Sequence, residues 1–113
     1  MNVKLILAGT ALFASTTAMA APEPLPWVMG VGAQSCGKLL GAVRTRNEAQ
    51  LFVYVSWTQG YLSGINFTKS PQAKNLKVDP EALRAYLTRH CQDKPLDDIT
   101  DAVGALIIEL YAK

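Results

Sequence analysis

One histidine, two cysteines and almost no imbalance of charge are all this sequence offers, and each shortage closes off a class of function. A metal site built from several imidazoles is excluded, because His90 stands alone, and a zinc site would have to take Cys36 and Cys91 as thiolates. His90 and Cys91 cannot serve each other as base and nucleophile either, since neighbouring helical residues point about 100° apart. The sequence has no glycine-rich phosphate loop and no Gly-x-Ser-x-Gly elbow. An enzyme is therefore not expected, and neither is a cofactor. Without Lys4, ten basic side chains face nine acidic ones, which leaves no concentrated basic excess for a nucleic acid. The apolar run Leu5 to Ala14 is too short for a permanent membrane anchor.

What that run does fit is export. Lys4 supplies a basic start, Leu5 to Ala14 an apolar centre, and Ala18-Met19-Ala20 a small-x-small cleavage site, the pattern of a secretory signal peptide over residues 1–20 cleaved after Ala20. The expected location is the periplasm. In an oxidising compartment an even pair of cysteines reads as a disulfide, so Cys36 and Cys91 are expected to be joined, with a structural rather than a redox role. The bridge would matter to a domain this small, whose core alone is modest.

Three prolines between Ala21 and Pro26 predict an extended leader over residues 21–34, with Trp27, Val28 and Met29 as a short apolar patch that either clasps the fold or faces a partner. Ser35 is placed to cap a short first helix over Cys36 to Val43. Asn47 and Glu48 open a second, running to about Asn66, whose apolar residues nearly encircle it and predict cover on most sides. Asp79-Pro80-Glu81 opens a third, in which Leu83, Leu87 and Cys91 share a face, and Pro95 ends it. Ile99, Val103, Leu106 and Leu110 follow at spacings that predict a last amphipathic helix. The fold class is thus all-α, a small orthogonal bundle of four helices, three long and one short, with one disulfide, forming a single domain over residues 35–113.

Two stripes on the second helix are the candidate binding features. Ser56, Gly60 and Gly64 recur every fourth residue, and mid-helix glycines are costly enough that their spacing predicts close packing of another backbone there. Tyr54, Trp57 and Tyr61 form an aromatic stripe that suits a core with wet edges and equally suits a binding groove. Together with Leu106 of the last helix they make the candidate client or ligand surface. Lys69, Lys74 and Lys77 sit in a polar loop, which reads first as solvated surface.

The ordered features Ser35-Cys36, Trp57-x-x-Gly60-Tyr61-Leu62-Ser63-Gly64 and Tyr86-Leu87-x-x-His90-Cys91-x-x-x-Pro95, behind an exported leader, resemble small bacterial periplasmic helical proteins. The layout resembles acid-activated chaperones of the HdeA/HdeB type across most of the mature chain. That resemblance implies a holdase, folded and inactive near neutral pH, that loosens in acid and offers apolar surface to unfolding clients. Gly60-Tyr61-Leu62-Ser63-Gly64 also resembles a piece of the Tai/Rap-type immunity proteins, which implies occlusion of a secreted cell-wall hydrolase by a rigid surface such as the loop from Lys69 to Lys77. A third class, a binder of a small ligand or envelope component beside Trp57, stays open, as does a homodimer. All three classes work by binding, and the first two take a protein partner.

Overall fold

The computed structural model describes Lys4, residues 8–19 and residues 27–113. Residues 8–19 carry no regular secondary structure and are exposed; the rest of the expected signal peptide, and the leader from Ala21 to Pro26, lie outside the described residues. Four α-helices follow: α1 (Cys36–Arg44), α2 (Glu48–Thr68), α3 (Pro80–Asp93) and α4 (Ile99–Ala112). Among the described residues there is no strand, only an isolated bridge between Ser35 and Asp98. The all-helical content and the Cys36–Cys91 disulfide agree with the fold class read from the sequence.

Each helix begins where a short polar side chain can take over an unpaired backbone N–H. Ser35 Oγ accepts from Lys38, Asn47 Oδ1 from Gln50 at 3.1 Å and Asp79 Oδ1 from Ala82 at 2.8 Å. Pro80, in the first turn of α3, occupies a place where a missing N–H costs nothing. At α4 the Asp98 N–H donates to Asp101 Oδ2 at 2.9 Å. Between α1 and α2 the chain reverses through Arg46, whose φ of 50° puts it in the left-handed region, and the next N–H, of Asn47, returns to the Ala42 carbonyl at 2.9 Å.

The leader ends sooner than the prolines imply. Gly30–Ala33 form a 3₁₀ turn packed against α2 and α4, with Gly32 buried. The Trp57 indole donates to the Met29 carbonyl at 3.0 Å, and the Thr100 hydroxyl to the Gly32 carbonyl at 2.6 Å. Of the two roles open to the segment Trp27 to Met29, Met29 therefore performs the clasp through its backbone, while the Trp27 and Met29 side chains stand exposed. Just beyond the turn, Cys36 N–H donates to the Asp97 carbonyl and Ile99 N–H to that of Gln34, so the start of α1 is tied to the start of α4.

Cys36 and Cys91 are joined, with their α-carbons 5.0 Å apart and a separation of 55 positions in sequence. The bond links α1 to α3 inside a core where Leu39, Leu83, Leu87, Ile99 and Val103 are buried. That core covers one side of α2 only. Leu51, Tyr54, Val55, Thr58 and Leu62 turn inward, whereas Phe52, Val53, Gly60, Gly64 and Phe67 face outward. The expectation of cover on most sides fails for a physical reason: α1, α3 and the 3₁₀ turn pack on α2, while α4 lies mainly against α3 and the turn.

Among the described residues nothing packs closely at Gly60 or Gly64, where an added β-carbon would meet nothing within 4 Å; Ser56 is partly buried. The glycine that an approaching group does require is Gly32, where a β-carbon would sit 2.2 Å from the Trp57 ring.

Candidate functional site

The outer face of α2 follows from composition. From Ala49 to Thr68 the helix carries no charged side chain, so whatever is not turned into the core meets solvent as apolar or small neutral groups. Phe52 is 71% exposed and Phe67 is 91% exposed, with Val53 and the open Gly60 and Gly64 between them. Neither phenylalanine ring is packed, and small and uncharged polar residues, Ser56, Gln59 and Ser63 among them, lie between the two on that side of the helix.

The aromatic stripe divides across this boundary. Tyr54, only 1% exposed, is a core residue whose hydroxyl donates to Gln34 Oε1, and burial raises its phenol above the ordinary value. Leu106, 3% exposed, is core as well. Neither belongs to a surface in the folded molecule, which corrects half of the candidate client surface. Trp57 and Tyr61 remain on it: their rings stack with centroids 5.3 Å apart, Trp57 half-buried beneath the 3₁₀ turn and Tyr61 outward.

Below α2 the loop of lysines is held rather than loose. The Asn66 amide donates to the Leu76 carbonyl at 2.9 Å and accepts from the Leu76 N–H at 2.8 Å, pairing with that residue as a strand would and seating the Leu76 side chain in the core. Lys74 Nζ donates to the Lys113 main-chain oxygen at 2.6 Å. Replacing Asn66 with alanine removes both backbone partners at once, and the expected loss is about 1–2 kcal/mol, since each such bond contributes roughly 1 kcal/mol net. Faster amide exchange at Leu76 and Lys77, with α1 unaffected, is the reading that checks it.

One ion pair and one histidine–aspartate contact fasten the helices. Arg84 Nη1 and Nη2 reach Glu48 Oε2 and Oε1 at 2.6 and 2.9 Å, joining α3 to the first turn of α2. His90 Nε2 lies 2.8 Å from Asp97 Oδ2, holding the α3–α4 connection against the end of α3, where the Tyr86 ring stacks beside the imidazole. His90 thus does more than answer a helix end, the role its position suggests from sequence. Among the described residues no group of three or more His, Cys, Asp or Glu could hold a metal ion.

The hydrogen bonds from Arg84 hold the Glu48 carboxyl below its ordinary value of 4.5. A carboxyl depressed on folding adds stability that is fully present above its unfolded value and disappears as pH falls through the folded one. Glu48→Gln is therefore expected to flatten the acid side of the stability curve while leaving its shape near neutrality unchanged, as read from urea midpoints between pH 7 and pH 3.

Sequence alone passed over Gly32, the Asn66–Leu76 pairing and the His90–Asp97 contact; only the amide at the end of α2 carried a local signal, as part of Asn66-Phe67-Thr68, a common tripeptide that matches a glycosylation acceptor. No helix among the described residues is long and apolar enough to cross a membrane. Comparison of the chain with protein-family models, with curated proteins and with solved structures gives no match.

Proposed function

We propose that this chain is an exported, non-enzymatic helical domain that works by binding other proteins, as a periplasmic acid-stress holdase of the HdeA/HdeB type. An orthogonal arrangement of its four helices belongs to the same reading. The observation that carries it is the uncharged outer face of α2, where Phe52 and Phe67 are mostly exposed and Val53 and Tyr61 partly so. Such a face suits apolar segments of unfolding clients, which are diverse in sequence and alike in hydrophobicity. The Arg84–Glu48 ion pair that fastens α3 to α2 runs through a carboxylate, and acid removes its charge. Protonation would loosen the α2–α3 joint and enlarge the apolar surface, bringing Tyr54 and Leu106 within reach of a client.

A pH titration of the oxidised mature protein from 7 to 2 tests this, with dye-reported apolar exposure, far-UV circular dichroism and suppression of client aggregation followed together. Exposure and suppression rising together in acid, with both lowered by Phe52→Ser and Phe67→Ser, is the expected result. A protein that stays compact and inert throughout rules the reading out.

One observation favours a second reading, the immunity protein of the Tai/Rap type. The loop carrying Lys69, Lys74 and Lys77 is anchored by Asn66, and an inhibitor needs a preformed loop of that sort. Retention of one stoichiometric partner from envelope extracts at neutral pH, lost on replacing Lys69 and Lys77 with glutamate, would support it over the holdase.

A further inference from the structure

We propose that the groove between the N-terminal ends of α2 and α3 binds a small amphiphile with an apolar chain and one positive charge, an alkylammonium in chemical class. The inference is independent of the holdase reading. The groove has a volume of about 460 Å³, a size that accepts a drug-sized molecule. Leu51 and Val55 form its buried floor, and Ala49, Pro80 and the mostly exposed Phe52 form its walls.

Charge at the mouth decides which amphiphile fits. Glu48, Glu81 and Arg84 line it. Arg84 spends both terminal nitrogens on Glu48, so that pair is neutral and the carboxylate of Glu81 is left over. Two helix N-termini open nearby, which in general favours an anion. Here, however, Asn47 and Asp79 already cap the two helix ends. Arg89 lines an adjoining groove, beyond Glu81 and Arg84, and not this one. An apolar cleft with one uncompensated carboxylate at its rim therefore selects a monocation and disfavours an anion.

The test is titration of the oxidised full chain with octyltrimethylammonium, octyl glucoside and octyl sulfate, each below its micelle concentration, followed by methyl and aromatic NMR shifts, with far-UV circular dichroism confirming that the helices persist. Saturable shifts at Leu51, Phe52 and Val55 are expected with the ammonium, about three- to tenfold tighter than with the glucoside, and weakest with the sulfate. Glu81→Gln, an exposed position, should bring the ammonium down to the affinity of the neutral chain, a loss matching an exposed charge pair. Phe52→Ser should weaken all three. Equal binding of the sulfate, shifts centred near Phe67 instead, the absence of saturation, or an unchanged affinity in Glu81→Gln would each overturn the proposal.

Discussion

Replacing Cys36 and Cys91 together with alanine is expected to lower the stability of the oxidised protein by about 4 kcal/mol. The bond joins positions 55 apart in sequence, and constraining a loop of that length removes conformational freedom from the unfolded chain worth about 4 kcal/mol at 25 °C. Domains are stable by roughly 5–15 kcal/mol in all, so the change separates a folded chain from one partly unfolded at 37 °C. The location of the bond makes the effect structural as well as entropic. Cys36 is the first residue of α1 and its N–H donates to the Asp97 carbonyl, while Cys91 lies in the last turn of α3, next to His90, which holds Asp97 from the other side. Three elements therefore meet at one covalent link. Guanidinium unfolding of the double variant beside the oxidised protein gives the number directly. A difference under about 1 kcal/mol would mean that buried Leu39, Leu83 and Leu87 alone hold α1 on α3.

How much of this was legible in the chain depends on how local the signal is. Ser35, Asn47 and Asp79 mark three helix starts through hydrogen bonds that span three residues, and the spacing of Ile99, Val103, Leu106 and Leu110 marks the fourth helix, so all four could be placed from sequence with ends off by no more than a turn. The disulfide was legible from the even number of cysteines and from the expectation of export. The orientation of α2 was not, because its apolar residues encircle it, and a pattern without a polar side cannot say which side turns inward. For that reason Tyr54 and Leu106 were read as candidate surface and lie in the core, while Phe52 and Phe67, which do form surface, were taken as covered or passed over. The same blindness misplaced the close-packed glycine: periodicity singled out Gly60 and Gly64, whereas the contact that requires glycine joins residues 25 positions apart, Gly32 and Trp57, and no local pattern encodes it. His90 and Asp97 meet across the turn at Pro95 for a similar reason.

Gly32→Ala and Gly60→Ala are accordingly expected to move stability in opposite directions. At Gly32 the new methyl would lie 2.2 Å from Cη2 and Cζ2 of Trp57 and 2.8 Å from Cε2, distances that demand a rearrangement. The indole cannot swing aside freely, since its N–H is bound to the Met29 carbonyl and its ring stacks on Tyr61. If the 3₁₀ turn lifts instead, the Thr100 hydroxyl loses the Gly32 carbonyl. Overpacking costs about 1–3 kcal/mol and each lost hydrogen bond about 1 kcal/mol, so a loss of about 3 kcal/mol is expected. In a Trp27→Phe background, where Trp57 is the sole reporter, its emission should shift to the red as the clasp opens. At Gly60 nothing lies within 4 Å, and alanine is the better helix former by about 1 kcal/mol, so that variant should gain stability. The two urea midpoints together locate the constraint. If Gly32→Ala were neutral, the clasp over Trp57 would be a loose contact and the folded domain would begin only at α1. If Gly60→Ala were destabilising, some group would have to press on the outer face of α2 in solution, and the face left open in the isolated chain would be an interface already in use.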